Sequence, residues 1–149
     1  MIVVLDSSAM IAQLTGEPEG EAVNALLLQR NEEGEGISLF AHSVNLCEVF
    51  YHIAAQHNAQ VAEEALKRLF EDGVIERGDL DGAFWREVAG NIVAARSLVK
   101  PDGTRAKLAL GDAFGVTLSN RLGAEFLTKD RSEIEPLHDA GMVVAGFIR

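Results

Sequence analysis

Short apolar runs alternate along the chain with segments in which apolar residues recur at helical spacing. Runs rich in Val, Ile, Leu and Phe predict buried strands at residues 2–5, 37–41, 74–77, 125–128 and 142–148. The intervening segments predict helices from Ser7 to a break at Gly16 and over residues 21–30, 43–50, 60–70, 82–98 and 106–122. Strands that alternate with helices are typical of an α/β domain with a mainly parallel sheet.

Several boundaries carry their own signals. Ser43 precedes the apolar positions of the third predicted helix and is expected to cap it. Residues 31–36 are rich in turn formers and predict a break before the second strand. Gly123 is expected to end the helix over residues 106–122.

Acidic residues occur where apolar segments end or near the start of helices: Asp6, Glu48, Asp112 and Asp130. In open parallel sheets, binding sites form beyond the carboxyl ends of the strands, so one compact fold can bring these side chains together. Two unit charges about 4 Å apart repel by roughly 4 kcal/mol at an effective dielectric near 20, and a bound cation offsets that cost. Magnesium and manganese prefer such oxygen ligands. The pattern therefore predicts a divalent-metal site that acts on a phosphate ester.

Each acidic residue also has a simpler interpretation. Asp6 suits a helix cap, Glu48 and Asp112 suit solvated helix positions, and Asp130 suits a turn, although the coincidence of all four favours a shared site. Glu133 lies one helical turn beyond Asp130. We expect it at the surface, or paired with a helix dipole, rather than in the site.

Composition limits the remaining possibilities. A chain of 149 residues that is 48% hydrophobic suits a single domain over residues 1–149. Cys47 is the only cysteine, so no intrachain disulfide can form, and we expect it to pack as a small apolar residue. No secretory leader opens the chain, and no apolar run reaches the roughly 18 residues that a membrane span needs. A cytoplasmic protein without a membrane segment is expected.

The net charge of −10 disfavours an extended nucleic-acid surface based on general attraction to phosphates. Basic residues nevertheless gather just ahead of Asp112, at Arg96, Lys100, Arg105 and Lys107. This stretch either guides a phosphate chain towards the acidic residues or is a solvated helix end and loop. Both interpretations fit the sequence.

Three segments together resemble the PIN-domain family, and in particular the VapC-type toxins of toxin–antitoxin pairs. They read VVLDSSAMIA around Asp6, SVNLCEVFY around Glu48 and LALGDAFGVTLSNRLGAEFLTKD across Asp112 and Asp130, in that order along the chain. The resemblance covers nearly the whole sequence. A hydroxyl residue follows the first Asp, at Ser8, and another precedes the last Asp, at Thr128.

The resemblance implies a three-layer fold, with a mainly parallel sheet between helices, and a metal-dependent ribonuclease. It implies that Asp6, Glu48, Asp112 and Asp130 hold Mg²⁺, for which Mn²⁺ can substitute. In this interpretation Asp6 and Asp112 bind the metal directly, and Glu48 and Asp130 bind it directly or through water. Ser8 and Thr128 would hold carboxylates or waters through their hydroxyls. A homodimer and a neutralising protein antitoxin are also implied.

Other functions remain open at this stage. A PIN-like RNA-processing nuclease without an antitoxin, or a catalytically silent PIN-like binding module, would share most of these residues. An aspartyl-phosphate phosphatase is disfavoured, because that chemistry needs a second Asp where this chain has Ser8.

Overall fold

Parallel strands form the centre of the fold. A computed structural model describes residues 1–33 and 36–148, and all element counts refer to these residues. The strands are β1 (Ile2–Leu5), β2 (Ser38–His42), β3 (Val74–Arg77), β4 (Glu125–Thr128) and β5 (Ala145–Phe147). The helices are α1 (Ser7–Leu14), α2 (Glu21–Glu33), α3 (Ser43–Gln56), α4 (Ala59–Glu71), α5 (Gly82–Ala95), α6 (Leu110–Leu122) and α7 (Arg131–Asp139). A short 3-10 turn, Pro18–Gly20, joins α1 to α2.

The sheet places β1 between β2 and β4. Its order is β3-β2-β1-β4-β5, and every neighbouring pair is parallel. Leu5 pairs with Leu127, so β1 and β4 end side by side. The residues that follow these two strands therefore lie at the same edge of the sheet.

Alternate residues of the strands face two separate apolar cores. Val3 and Leu5 pack with residues of α1 to α4, whereas Val4 and Phe126 pack with residues of α5 to α7. A strand that is buried on both faces needs a continuous apolar run, which explains the sequence of β1. The predicted three-layer α/β fold is confirmed.

Most predicted elements are present, but several boundaries differ. Helix α2 continues to Glu33, through part of the segment predicted as a turn, and residues 34–35 lie outside the described residues. Helix α5 ends at Ala95, because the next three amides bond to carbonyls three residues back and tighten the chain. The last strand is limited to β5.

Helix α6 starts later than its apolar spacing suggested. Residues 98–106 form a hairpin, in which Val99 bridges Arg105 and the Ala106 N–H donates to Leu98 O over 2.8 Å. Ala106 and Leu108 are buried without being helical. The helix ends as predicted at Gly123, whose φ of 61° suits glycine.

His42, rather than Ser43, caps α3. Its Nδ1 accepts the Val44 N–H over 3.0 Å, while the Ser43 hydroxyl donates to Glu76 on β3 over 2.7 Å. Ser43 therefore joins two elements instead of capping one. Cys47 was expected to pack, but it is exposed on the opposite side of α3 from the buried residues.

Helix α7 had not been predicted from apolar spacing, and it carries Pro136 within it. Its buried residues are Ile134 and Leu137, which anchor it against the second core. Among the helices of residues 1–33 and 36–148, none is long and apolar enough to cross a membrane.

Candidate metal centre

Asp6 follows β1 directly and is 1% exposed. Its Oδ2 accepts two hydrogen bonds, from the Ser8 hydroxyl and from the Thr128 hydroxyl, each over 2.7 Å. The same two hydroxyls accept backbone N–H groups from the turn after β4: Lys129 donates to Ser8 over 3.1 Å, and Asp130 donates to Thr128 over 3.0 Å. Ser8 and Thr128 thus hold Asp6 and the turn that carries Asp130 in one arrangement.

Asp112, Asp130 and Glu133 form a compact group of carboxyls. One oxygen from each lies within 4.8 Å of the others, and all three residues are half-buried. Asp112 occupies the first turn of α6, and Asp130 caps α7 by accepting the Glu133 N–H over 3.2 Å. Glu133 in turn accepts the Ala109 N–H, which precedes α6. The group therefore joins the amino-terminal ends of two helices.

Electrostatics show that this group carries more negative charge than its surroundings stabilise. Burial raises the pKa of Asp112 to about 9, and further contributions come from the charge of Asp6, from a hydrogen bond that Asp112 donates to Asp6, and from Glu133 and Asp130. Burial is also the main cause that raises the pKa of Glu133; the Ala109 N–H and Lys107 oppose this rise. Helix amino termini favour carboxylates, yet here they do not offset the desolvation.

A divalent cation fits this donor set. The grouped side chains offer carboxylate oxygens, which are the hard ligands that Mg²⁺ and Mn²⁺ prefer. A cation would replace the proton on Asp112 and balance the repulsion that raises its pKa. The predicted residues Asp6, Asp112 and Asp130 thus come together.

Glu48 lies beside this group rather than within it. Its Oε1 accepts a hydrogen bond from Asn45 Nδ2 over 3.0 Å. The carboxylate rests against Gly111, where an added Cβ would lie 2.5 Å from Glu48 Oε1. Glu48 therefore contacts the residue immediately before Asp112, on the side of the site formed by α3.

Glu133 is the residue that the sequence argument set aside. It was expected at the surface or as a dipole partner, yet its carboxyl is one of the three whose oxygens lie within 4.8 Å of one another. Its position three residues after Asp130 was a usable signal once a helix began there. No helix was predicted over residues 131–139, so this one-turn spacing alone did not favour a place in the site.

The predicted basic stretch divides into different roles. Arg105 Nη1 donates to Arg96 O over 3.2 Å, so these residues brace the hairpin. Lys107 is close enough to lower the pKa of Glu133. Lys100 lines a groove of about 840 Å³ between the hairpin and α7, and Arg131 and Ser132, which directly follow Asp130, line it too. Of the predicted basic residues, Lys107 thus acts on the carboxyl group, whereas Lys100 lines the adjoining groove.

The fold has counterparts among solved structures. VapBC2 from Rickettsia felis, bound to a DNA fragment from their promoter, matches with a TM-score of 0.73 and 12% identity over 100% of both chains. VapBC-1 from nontypeable Haemophilus influenzae matches with a TM-score of 0.68 and 14% identity over 99% of this chain and 98% of that one. Mycobacterium tuberculosis VapC20, a Sarcin-Ricin loop cleaving toxin, matches with a TM-score of 0.66 and 10% identity over 89% and 93%.

These similarities establish that the chain has the PIN-domain fold of VapC toxins. Neither a protein-family model nor a curated protein sequence matches the chain. At identities this low, structural likeness defines the fold, and function has to be argued from the site itself.

Proposed function

We propose that this protein is a cytoplasmic, Mg²⁺-dependent ribonuclease and the toxin of a toxin–antitoxin pair, built as one domain over residues 1–149. The single observation that carries the proposal is the group formed by Asp112, Asp130 and Glu133 beside Asp6, at the carboxyl edge of a VapC-like sheet. The raised pKa of Asp112 supports a site adapted to a cation. The VapC20 neighbour is a Sarcin-Ricin loop cleaving toxin, which favours RNA as the substrate here.

The residues have separable roles in this proposal. Asp6, Asp112, Asp130 and Glu133 hold Mg²⁺ or Mn²⁺, with Glu48 completing the site from α3. When bound, the ion supplies Lewis-acid chemistry that activates water and neutralises charge on the phosphate. Ser8 and Thr128 keep Asp6 and the Asp130 turn in register through their hydroxyls. Lys107, and Lys100 in the adjoining groove, attract the RNA backbone towards the carboxyls.

A protein antitoxin and a second copy of the chain are the proposed partners. Solved neighbours include a member of the VapBC family of toxin–antitoxin systems from Mycobacterium tuberculosis, which favours an antitoxin here. Trp85 and Val93 on α5 are 47% and 66% exposed, so this helix offers apolar contact area for a homodimer or for the antitoxin.

Cleavage assays on purified protein, freed of any antitoxin, test the proposal. Structured and single-stranded RNA are incubated with Mn²⁺ or Mg²⁺, with EDTA as the metal-free control and Asp112→Asn as the site variant. Asp72→Asn is the matched control, because Asp72 precedes β3 and so lies at the opposite edge of the sheet. We expect cleavage that EDTA and Asp112→Asn abolish and that Asp72→Asn retains.

Three results would argue against the proposal or against its toxin–antitoxin part. Cleavage that persists in EDTA would exclude the metal-dependent reaction. No cleavage, together with no saturable Mn²⁺ binding by calorimetry, would favour the silent binding module. Metal-dependent cleavage by a protein that purifies from its native cells without a small antitoxin would favour the RNA-processing nuclease instead.

A further inference from the structure

Asn45 is a fully buried amide on α3 that joins two parts of the site. Its Nδ2 donates to Glu48 Oε1 over 3.0 Å and to Gly111 O over 3.0 Å. Both partners are pure acceptors, so only the amide nitrogen can face them and the orientation of the side chain is determined. One NH₂ group thus links the Glu48 carboxylate to the backbone just before Asp112.

The other end of the amide has no partner. Asn45 Oδ1 is buried and accepts no hydrogen bond among the described residues. It faces Gly115 of α6, where an added Cβ would lie 3.1 Å away. A buried acceptor without a donor lowers stability, and native structures contain few of them. Packing alone therefore does not explain an asparagine at this position, since an apolar side chain would avoid that cost.

Gly111, in the first turn of α6, leaves room for the Glu48 carboxylate that Asn45 holds. The Glu48 carboxylate occupies the space that a Cβ at Gly111 would need, at 2.5 Å from Oε1. Glu48 is therefore confined between the amide of Asn45 and the first turn of α6. Its position relative to Asp112 depends on both contacts.

We propose that Asn45 is a positioning residue that holds the Glu48 carboxylate towards a cation bound by Asp112, Asp130 and Glu133. This inference rests on the proposed metal-dependent function, which it deepens by assigning a role to a residue that carries no charge. Asn45 itself does not reach the metal. It acts by restricting Glu48 to the orientation in which an oxygen remains available to the ion or to a water on it.

A double-mutant cycle on Mn²⁺ affinity tests this role without relying on catalysis. The dissociation constant of Mn²⁺ is measured by calorimetry for the wild type, Asn45→Ala, Glu48→Gln and the double variant. We expect Asn45→Ala to weaken binding about tenfold, the lower end of the range for residues that orient metal ligands. In the Glu48→Gln background the same change should have little further effect, because the group it positions is gone.

Asn91 provides a matched control, and a second variant covers failure to fold. Asn91 Nδ2 donates to Thr117 Oγ1 over 2.9 Å and so joins α5 to α6 through the same chemistry. Asn91→Ala should leave Mn²⁺ affinity unchanged. Asn45→Leu has a similar branched shape, carries no charge and removes the donor, and we expect it to weaken binding at least as much as Asn45→Ala. Circular dichroism spectra establish that each variant is folded.

The inference is overturned if Asn45→Ala leaves Mn²⁺ affinity unchanged, if it weakens affinity equally in both backgrounds, or if Glu48→Gln alone has no effect. These outcomes are distinct from failure of the ribonuclease proposal. A protein that shows the expected cycle but cleaves no RNA supports the role of Asn45 and contradicts the nuclease. A protein that cleaves RNA, but in which the effects of the two substitutions on Mn²⁺ affinity simply add, supports the nuclease and contradicts the role of Asn45.

Discussion

The Thr128 hydroxyl donates a 2.7 Å hydrogen bond to Asp6 Oδ2, although the two residues are 122 positions apart in the chain. The same hydroxyl accepts the Asp130 N–H over 3.0 Å. One buried side chain at the end of β4 therefore fixes both the carboxylate of Asp6, after β1, and the backbone of Asp130, after β4.

Replacing Thr128 by valine should affect both stability and metal binding. Valine keeps the shape of the side chain but removes both hydrogen bonds, and a bond to a charged group contributes roughly 1.5–3 kcal/mol. We expect Thr128→Val to lower the free energy of unfolding by about 2 kcal/mol and to weaken Mn²⁺ binding about tenfold. Urea unfolding and calorimetry measure the two effects.

Thr117→Val is the control for that change. Thr117 is equally buried, and its hydroxyl donates to Ala113 O over 2.7 Å within α6. It should lose stability and retain Mn²⁺ affinity. If the two valine variants bound Mn²⁺ equally well, Thr128 would have no special connection to the site.

Asp112 should make the metal-free protein less stable as the pH rises. The pKa of this carboxyl is about 9 in the folded protein, against 3.8 as its ordinary value. Between these pH values the folded state holds a proton that the unfolded state has lost. The free energy of unfolding is therefore highest below about pH 3.8 and falls as the pH rises towards 9. Thermal unfolding in EDTA across this range measures the trend.

Asp112→Asn should remove much of this dependence. The amide has nearly the same shape and carries no charge at any pH in the range, so the variant should melt at a higher temperature than the wild type near pH 8.

Mn²⁺ binding to the wild type should release a proton and strengthen with pH. If the melting temperatures of the wild type and of Asp112→Asn changed with pH in the same way, the pKa of Asp112 would not be raised.

Gly111→Ala should displace Glu48 from its place against α6. The new Cβ would meet Glu48 Oε1 at 2.5 Å, so the carboxylate has to move. We expect weaker Mn²⁺ binding and slower RNA cleavage, each by about tenfold. The measurements are calorimetry and initial cleavage rates.

Gly90→Ala is a glycine control within α5, where an added Cβ meets nothing within 4 Å. Alanine is the better helix former, so this variant should gain about 0.5–1 kcal/mol of stability and keep its metal affinity. Normal Mn²⁺ binding by Gly111→Ala would show that Glu48 has room to shift without consequence.

Lys107→Gln should impair substrate binding more than the chemical step. Lys107 is exposed and lies near Glu133, so its charge acts on a phosphate approaching the carboxyls. We expect KM for RNA to rise several-fold at low salt, with kcat little changed and the difference reduced at high salt. Lys67→Gln is the control, because Lys67 pairs with Glu71 on the exposed face of α4. Equal effects of the two changes would indicate general charge attraction only.

The sequence predicted those parts of the site that follow directly from strand ends. Asp6 and Asp130 come after apolar runs, and in a parallel sheet such positions converge. Asp112 was recognised differently, as an acidic residue within a strongly apolar predicted helix. Apolar runs also predicted the strands, most clearly β1 and β4, because residues buried on both faces of a sheet must be apolar throughout.

The missed features depend on contacts between distant segments. Glu133 enters the site because α7 forms in spite of Pro136, and Ile134 and Leu137 supply the packing that favours it. Ala106, the first residue of the helix predicted over 106–122, is instead held in a hairpin by Leu98 O. Asn45 has no sequence signature at all, since its role follows from the position of Gly111, which is 66 residues away.

The central position of β1 determines when the carboxyl group can form during synthesis. Asp6 and Ser8 are made before Thr128 and the three grouped carboxyls, which lie at or beyond α6, and β4 must pair with β1 before these side chains meet. A nascent chain that has not yet added β4 to the sheet cannot assemble the site. The carboxyl group can therefore assemble only after the ribosome has made the segment from α6 to α7.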